Sequence, residues 1–478
     1  MAHVLMDIAA NAATVWIYVA AGAVAIVVIA AIVVFLTPLW DVVKRRIFGT
    51  EPEADVISLE GMLEEGGRPL SALVTVRKTI VDMAAEERVN TRKLLDYVIA
   101  QAWNLGASDV HFTPTADGMT LQLRIDGLLY DLAMFSREVM ASALIRLKIL
   151  SRLNPYKRDV PQDGRINVDV SQSLDVRIST LPTIHGEKAV LRFLSKAGRF
   201  LTLQDLGIDD WTLERYHGLI TRPQGMVLVT GPTGSGKTTT LYSSLDAVKN
   251  RTASHLNIVT IEDPVEHELP FLNQTQVNEE VGLTFAKGLR SVLRQDPNVI
   301  MVGEIRDKET VEIAVHAGLT GHLIFSSVHA ESSPGVFARL LNMGIEPYIL
   351  ASAVSCVLGQ RLMRKLCPAC REEVPPSNHE IEQLGKLGVT LDPDEGPFFR
   401  SSGCARCFDL GVHGRTGIFE LLVVDDVVQE ELVKEVRTKE MYRAAVERGM
   451  RPLIDDGFDR ARQGVVSLEE LLNVISSS

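Results

Sequence analysis

Residues 225–241 read Gly-Met-Val-Leu-Val-Thr-Gly-Pro-Thr-Gly-Ser-Gly-Lys-Thr-Thr-Thr-Leu, and the rest of the 478-residue chain can be placed around them. Residues 226–229 form an apolar, β-branched run of the kind found in buried parallel strands. The pattern G-x-x-x-x-G-K-T follows it, and residues 239–245 continue as a predicted helix. A strand, a glycine-rich loop and a helix in this order predict a phosphate-binding loop within an α/β domain.

The spacing of this loop suits a nucleoside triphosphate with Mg²⁺. Glycines let the loop curl so that several backbone N–H groups converge on phosphate oxygens, and the following helix adds its positive end. Lys237 is predicted to reach the β- and γ-phosphates, and Thr238 to hold Mg²⁺ through its hydroxyl. A chance glycine-rich turn is disfavoured because strand, lysine and threonine are all present. The predicted nucleotide-binding residues are Gly231, Pro232, Thr233, Gly234, Ser235, Gly236, Lys237, Thr238 and Thr239.

Length, charge and cysteine content limit the class of protein. A chain of 478 residues suggests about three domains. The formal net charge of −12 argues against a nucleic-acid motor, which usually carries a basic surface, so we expect no nucleic-acid partner. Five cysteines are too few for a disulfide scaffold, and four of them form two C-x-x-C pairs, which favours a metal site in a reducing compartment.

Residues 15–37 predict a transmembrane helix. The 22 residues 15–36 contain no charge, and as a helix they span about 33 Å against about 30 Å for a bilayer core. Three basic residues at 44–46 place residues 1–14 outside and the later domains in the cytoplasm by the positive-inside rule. A cleaved signal peptide is disfavoured because the run is long and no basic segment precedes it. A buried core helix is disfavoured by the same length without charge.

Residues 38–88 are predicted to be a cytoplasmic linker, and residues 89–200 a small α+β domain. Arg124, Arg177 and Arg192 lie in strand-like runs of that domain. These arginines either form surface ion pairs or reach a nucleotide held by the next domain. The predicted helices cover 92–106 and 142–153, and the predicted strands cover 107–112, 121–127, 161–166, 175–180 and 189–194.

Residues 201–478 are predicted to form the nucleotide-binding domain. Two apolar runs downstream of the phosphate-binding loop end in acids, one at Glu262 and the other at Glu304. Carboxylates at the carboxyl ends of parallel strands face the ligand crevice, where they can hold Mg²⁺ or polarise water. A third run, 320–329, has a histidine near each end, and His329 at its carboxyl end is the better site candidate.

Two C-x-x-C pairs predict a zinc site within an inserted subdomain at 361–412. Each pair offers two thiolates from a tight turn, and four thiolates complete a closed, structural, tetrahedral site. Two unrelated thiol pairs are the alternative, and a redox role is disfavoured because no thioredoxin-like βαβ unit surrounds either pair. Cys356 is predicted to be a buried apolar residue on a helix. The predicted zinc ligands are Cys367, Cys370, Cys404 and Cys407.

The C-terminal part reads as a strand followed by helices that pack and contact other subunits. The strand is predicted over 414–422, and helices from Val427 onward. Glycines at three points are predicted to break these helices, and Ser467 is predicted to cap the last one. The three breaking positions are Gly449, Gly457 and Gly464.

The order of these motifs resembles the secretion ATPase family of type II secretion and type IV pilus assembly, called GspE/PilB, over roughly residues 90–478. The resemblance implies a RecA-like P-loop ATPase core preceded by a smaller α+β domain. Ala107-Ser108-Asp109 and Arg124-Ile125-Asp126-Gly127 are similar to signatures of the family's N-terminal domain. The Walker A loop, Asp box, Walker B segment and His box of the family are similar to residues 231–238, 260–266, 299–304 and 321–329.

The resemblance also implies roles for single residues. Glu304 corresponds to the Walker B glutamate and, with Thr238, to a ligand of Mg²⁺, while Glu262 corresponds to the Asp-box glutamate. His329 would sense the γ-phosphate. Arginines of the first domain would move onto the phosphates of ATP when the two domains close. The implied catalytic residues are Glu304, Glu262, Lys237, His329, Arg177 and Arg192, and Arg124 is expected among the ATP-binding residues.

Two residues depart from the family pattern. Ala330 stands where the family often has Thr, and Asn298 stands where it usually has Asp. Neither change removes a catalytic carboxylate, so ATP hydrolysis is still expected.

The resemblance implies a homohexameric ATPase that powers assembly of a pilus or pseudopilus together with a platform protein of the bacterial inner membrane. The cysteine pairs favour the assembly type over the retraction type, which generally lacks such a zinc site. A docking scaffold without turnover is disfavoured by intact Glu262 and Glu304, and a nucleic-acid translocase by the acidic charge. Assembly ATPases of this type are usually soluble and recruited through an N-terminal domain, so we expect the predicted transmembrane helix to replace that recruitment.

Overall fold

A computed structural model describes residues 57–58, 72–86, 89–169, 174–195, 201–251, 256–391, 396–407, 410–434 and 438–476. The predicted transmembrane helix at 15–37 and most of the predicted linker lie outside the described residues. Within the part of the chain that is described, no helix combines the length and the apolar character needed to cross a bilayer.

The first domain is a seven-stranded sheet with helices, which matches the predicted α+β class. The strand order is β1-β5-β6-β7-β2-β3-β4, and every neighbouring pair is antiparallel except β1 and β5. The β3 strand alternates strictly between buried and half-exposed residues, as a sheet with one covered face requires. The elements are β1 Ile57–Ser58, α1 Ala72–Ala84, α2 Thr91–Asn104, β2 Ala107–Pro114, β3 Met119–Ile125, β4 Leu128–Phe135, α3 Arg137–Leu150, β5 Gln162–Asp169, β6 Leu174–Thr183 and β7 Gly186–Ser195.

The second domain is built on another seven-stranded sheet, ordered β10-β9-β11-β12-β8-β13-β16. Only its last pair, β13 and β16, is antiparallel. Its elements as far as β13 are α4 Asp210–Ile220, β8 Gly225–Thr230, α5 Lys237–Arg251, β9 Ile258–Glu262, β10 Asn273–Gln276, α6 Phe285–Val292, β11 Val299–Val302, α7 Lys308–Leu319, β12 Leu323–Val328, α8 Gly335–Asn342, α9 Pro347–Ala353 and β13 Val354–Leu366.

Helices cover both faces of this second sheet, so its central strands are buried throughout. Every residue of β8 is buried, and successive side chains enter opposite cores. Met226 and Leu228 pack into one hydrophobic cluster, whereas Val227 and Val229 pack into another on the other face. Because β8, β9, β11 and β12 run parallel, the loops that follow them meet at one edge of the sheet.

The predicted cysteine pairs lie in a small module between β13 and β16, followed by four C-terminal helices. One hydrophobic cluster joins residues of this module, such as Leu384 and Phe398, to Leu471 of the last helix. The remaining elements are β14 Arg371–Val374, α10 Asn378–Lys386, β15 Phe398–Ser401, β16 Val412–Val423, α11 Asp426–Lys434, α12 Thr438–Glu447, α13 Leu453–Arg462 and α14 Leu468–Ser476.

Two predictions in this part of the chain were wrong. Cys356 is buried as predicted, but it lies in β13 rather than on a helix, between β8 and β16. Gly457 does not break a helix, because it lies inside α13. A Cβ there would come within 2.3 Å of Leu471 Cδ1, so this glycine lets α13 pack closely on α14. Ser467 does cap α14, accepting the backbone N–H of Glu470 at 3.1 Å.

Candidate functional site

The loop between β8 and α5 has the backbone that its glycines predict. Gly234 and Gly236 have φ of +79° and +88°, the left-handed region that favours glycine. A Cβ on Gly231 would lie 2.4 Å from the carbonyl oxygen of Gln360, so only glycine fits there. The Ser235 hydroxyl is buried and has no hydrogen-bond partner among the described residues. This cradle of backbone N–H groups suits a phosphate chain.

Lys237 is the first residue of α5, at the point where the helix N-terminus meets the loop. Its Nζ donates to the carbonyl oxygens of Gly231 at 2.9 Å and Pro232 at 3.0 Å. Burial lowers the pKa of Lys237, and the carboxylate of Glu304 opposes that shift. The ammonium group therefore contacts the loop carbonyls and lies within electrostatic range of an acid that follows another strand.

Glu262 ends β9 and is held by side chains from three elements. One carboxylate oxygen accepts a short hydrogen bond from the Tyr242 hydroxyl of α5. The other accepts from Thr260 Oγ1 at 2.6 Å and from Gln274 Nε2 of β10 at 3.0 Å. Burial and the neighbouring carboxylate raise the pKa of Tyr242, so its hydroxyl stays protonated and donates. Glu262 is therefore fixed in one orientation.

Glu304 follows β11 and faces His329, which follows β12. His329 Nε2 lies 3.6 Å from Glu304 Oε2, close but without a direct hydrogen bond. Burial and the nearby Lys237 lower the pKa of His329 despite the opposing effect of Glu304, so the imidazole is neutral at pH 7. Arg306 donates to the other oxygen of Glu304 and lies 3.8 Å from Asp263. His322 lies at the opposite end of β12.

At this edge of the sheet lies a cavity of about 660 Å³ that residues of both domains line. Predicted residues of both domains line it, which places both acids, His329 and the lysine around one space. From the first domain the lining includes Ser108, Asp109 and Arg192; from the second it includes Thr233, Gly234, Gly236, Lys237, Thr238, Thr239, Glu262, Asp263, Glu304, Arg306, His329 and Arg415. Gly231, Pro232 and Ser235 line a second cavity of about 440 Å³ with Arg361.

The three predicted arginines occupy different places. Arg192 lines the 660 Å³ cavity, and its Nε donates to Asp109 Oδ1 at 2.9 Å. Arg177 donates to the carbonyl oxygen of Val265 at 3.2 Å, in the segment just after Glu262. Arg124 donates to the carbonyl oxygen of Gly127 at 2.9 Å and does not line the cavity. Of these three arginines, Arg192 is the one that lines the same cavity as the phosphate-binding loop.

Sequence reasoning did not identify several residues of this site. Arg306 lies two residues after Glu304, and this short distance in sequence is the one feature that could have indicated its contact with that carboxylate. Tyr242 and Arg415 gave no signal, because their contacts join segments that are far apart in the chain. Arg361, buried on β13, likewise gave no signal in the sequence.

The two departures from the family pattern leave the site intact. The backbone N–H and carbonyl of Ala330 both pair with the Thr230 hydroxyl at 3.1 Å, so the main chain holds this position. Asn298 lies at the amino end of β11, away from Glu304, and its Oδ1 accepts the backbone N–H of Asn257 at 2.8 Å. An amide side chain therefore has a structural role there.

The four cysteines of the C-x-x-C pairs form one cluster. All four Sγ atoms lie within 4.8 Å of one another. Cys367 and Cys404 are 3.9 Å apart, and Cys370 and Cys407 are 3.7 Å apart. A tetrahedral zinc with bonds of about 2.3 Å requires sulfur separations of roughly 3.8 Å. Backbone N–H groups of Cys404 and Gly411 donate to Cys407 Sγ at 3.2 Å, as expected around a thiolate. The cluster can therefore hold zinc.

Residues 84–473 match the protein family described as type II/IV secretion system protein. The chain belongs to this family. The type II secretion system protein E of Pseudomonas aeruginosa is 43% identical over 413 residues, covering 86% of this chain and 80% of that protein. The type IV pilus assembly ATPase PilB of Thermus thermophilus is 41% identical over 411 residues, covering 84% of this chain and 46% of that protein.

A solved structure of the family's fold agrees with these relatives. The crystal structure of the pilus retraction motor PilT with bound ADP has a TM-score of 0.55 and 26% identity, covering 79% of this chain and 95% of that one. The observed α/β core and the preceding sheet domain are therefore those of secretion-system ATPases. The family predicted from the sequence motifs is confirmed by the family match and by these relatives.

Proposed function

We propose that the protein hydrolyses ATP to ADP and phosphate and uses this turnover to power assembly of a pilus or pseudopilus, as a type II secretion or type IV pilus system does. The observation that carries the proposal is the shared cavity. It is lined by Lys237, Glu262, Glu304 and His329 from the second domain and by Arg192 from the first. Hydrolysis at such a boundary is coupled to movement between the domains.

The donor set fits Mg-ATP. The glycine cradle, the buried Ser235 hydroxyl and the Lys237 ammonium would hold the phosphates. Thr238 and Glu304 would hold Mg²⁺, which neutralises charge on the phosphate oxygens when bound. Glu262 and Glu304 offer carboxylates for orienting water, and the neutral His329 offers a nitrogen beside Glu304.

The relatives favour the assembly type of motor over the alternatives. The P. aeruginosa and T. thermophilus proteins, which are named for type II secretion and type IV pilus assembly, are 43% and 41% identical to this chain. The closed cysteine cluster supports the same choice. A scaffold without turnover conflicts with the ordered Glu262 and with Glu304, which both line the cavity.

Steady-state ATPase activity of the full-length protein in lipid, with Mg²⁺, tests this proposal. Glu304→Gln keeps the shape of the side chain but removes the charge and the proton acceptor, so turnover should fall at least ~100-fold while ATP still binds. The particle should contain about six subunits, as the resemblance to the family implies. ATP binding without turnover in the unmodified protein would contradict the motor and favour a scaffold.

We further propose that residues 15–37 anchor the protein in the bacterial inner membrane, with the N-terminus outside and the catalytic domains in the cytoplasm. The uncharged run and the basic residues that follow it support this. There the motor would work on a platform protein of the pilus or secretion machine.

Fractionation of cells tests the anchor. Deletion of residues 1–47 should move the protein from the membrane to the soluble fraction. Replacement of 15–37 by an unrelated transmembrane helix is the matched control and should retain membrane association. Membrane retention of the deleted form would show that a partner recruits the protein instead.

A further inference from the structure

The loop of residues 329–333, between β12 and α8, begins with His329 and is tied down at three later points. Thr230 holds Ala330 through both backbone groups at 3.1 Å. Arg361 donates to the carbonyl oxygen of Glu331. The third contact is at Ser333, which donates two hydrogen bonds to the carboxylate of Glu420 of β16. His329 thus belongs to a segment whose path other elements determine.

Glu420 makes two charge-assisted hydrogen bonds to one residue of this loop. Its Oε1 accepts the backbone N–H and the hydroxyl of Ser333, both at 2.7 Å. The Glu420 side chain is almost wholly buried, at 2% exposure. Burial raises the pKa of this carboxyl, while the Ser333 donors and the positive charge of Arg361 act in the opposite direction. A buried carboxylate is costly unless it is paired in this way.

The backbone of β13 leaves room for this contact. Gly359 pairs with Glu420 across the two strands. A Cβ on Gly359 would lie 2.6 Å from Ser333 Oγ and 2.7 Å from Glu420 Cγ, so any larger residue would collide with the pair. Arg361 is two residues further along β13 and therefore lies on the same face of the sheet as Glu420. The two strands together place the carboxylate of Glu420 and the guanidinium of Arg361 against the loop of residues 329–333.

We propose that Glu420 is a positioning residue for His329: with Arg361 it fixes the loop of residues 329–333 so that the imidazole stays beside Glu304. Only three residues separate His329 from Ser333, so a shift at Ser333 is transmitted along a short segment. This inference rests on the proposed ATP hydrolysis, because His329 acts in that reaction. Glu420 itself does not line the 660 Å³ cavity and touches no reacting atom.

Steady-state kinetics of full-length Glu420→Gln provide the first test. The substitution keeps the size of the side chain but weakens both bonds to Ser333, so kcat should fall about tenfold. The KM for ATP should stay within about twofold, because the phosphate-binding loop is untouched. Ser333→Ala, which removes one of the two bonds, should give a smaller loss in the same direction.

Glu380→Gln is the matched control. Glu380 is also a buried glutamate with an arginine partner, Arg400 at 2.6 Å, but it caps α10 in the cysteine module. Its substitution should leave kcat unchanged. An equal loss of kcat in this control would show that any buried glutamate matters and would overturn the assignment.

A double-mutant cycle separates positioning from general destabilisation. In a His329→Gln background, Glu420→Gln should lower kcat by no more than about twofold, because the residue it positions is already gone. Fully additive losses would overturn the proposal.

Hydrogen exchange tests the clamp without turnover. The Ser333 amide should exchange faster in Glu420→Gln than in the unmodified protein, and at an unchanged rate in Glu380→Gln. Unchanged exchange in Glu420→Gln would overturn the proposal. If the unmodified protein hydrolysed no ATP, the proposed function would fail, and the exchange result would still decide whether Glu420 holds the loop.

Discussion

Glu262 is an acid of the site whose orientation depends on three neighbours. Tyr242, Thr260 and Gln274 all donate to it, from three different elements. A carboxylate buried to this extent keeps its direction only while its hydrogen bonds are intact. The network therefore links the stability of the domain to the geometry of the site.

Tyr242→Phe should lower both stability and turnover. It removes one donor to a buried carboxylate, which costs about 1.5–3 kcal/mol, and it leaves Glu262 free to turn. We expect kcat to fall several-fold, and denaturant unfolding with ATPase assays measures both effects.

Tyr216→Phe is the control for this prediction. The Tyr216 hydroxyl is also buried, but it pairs with Ser244 at 2.8 Å, away from Glu262. Its loss should reduce stability by about 1 kcal/mol and leave kcat unchanged. A similar fall of kcat in both variants would mean that lost stability, rather than the orientation of Glu262, explains the effect.

Single residues of the site were predictable from sequence where the signal is local. Lys237 and Thr238 follow from the spacing of the glycine loop, and Glu304 from an apolar run that ends in an acid. Tyr242 and Arg415 were not predictable, because nothing near them in sequence shows what they face. Glu420 belongs with them, since its partner Ser333 lies 87 positions away in the chain.

At the scale of elements, long apolar runs with clear ends were predicted well. The strands β8, β9, β11 and β12 appear where such runs end in glycine, acid or histidine. Cys356, near the start of β13, is the exception, because its short apolar run without periodicity fits either a helix or a strand. Sheet pairing with β8 and β16 decides in favour of the strand.

The cysteine module should contain metal. We expect about one zinc ion per chain, measured by elemental analysis of the purified protein. Removal by a strong chelator should lower the melting temperature by roughly 5 °C or more, because zinc binding contributes to folding.

Cys356→Ala is the control for the metal prediction. Cys356 is buried in β13 and does not belong to the cluster of four Sγ atoms. Its zinc content should equal that of the unmodified protein, whereas Cys404→Ser should lose the ion. Equal zinc in both variants would place the metal elsewhere.

At the scale of the whole molecule, the two domains meet around the nucleotide cavity. Asp126 of the first domain accepts the backbone N–H of Gly414 at 3.0 Å, and Arg177 reaches Val265. Sequence patterns did not predict this arrangement, because contacts between domains depend on surfaces that carry no periodic signal. They also did not predict that β1 and α1, which fall within the predicted linker of residues 38–88, pack in the first domain. The arginines could be placed on strands, but their distances from the loop could not be predicted.

Arg192→Ala should uncouple the domains. Arg192 lines the cavity, so its loss should lower kcat at least ~10-fold and reduce the ATP-dependent change in distance between fluorophores on the two domains. Arg92→Ala is the comparison, because Arg92 lies in the same domain but outside the cavity and pairs with Asp96 of its own helix. Loss of turnover in Arg92→Ala alone would contradict the assignment of Arg192.

The cysteine module leaves the sheet at Leu366 and returns at Val412, and these two residues are partners in the β13–β16 ladder. An insertion whose ends are neighbours can be lengthened, shortened or exchanged at little cost to the strands that carry it. Residues 367–411 are therefore an insertion on a hairpin that is anchored a second time where Leu384 and Phe398 share a hydrophobic cluster with Leu471 of α14. Grafting a relative's segment between the same two ends, with apolar residues retained where it meets α14, offers a route to chimaeric motors in which the ATPase core stays constant while its outer surface changes.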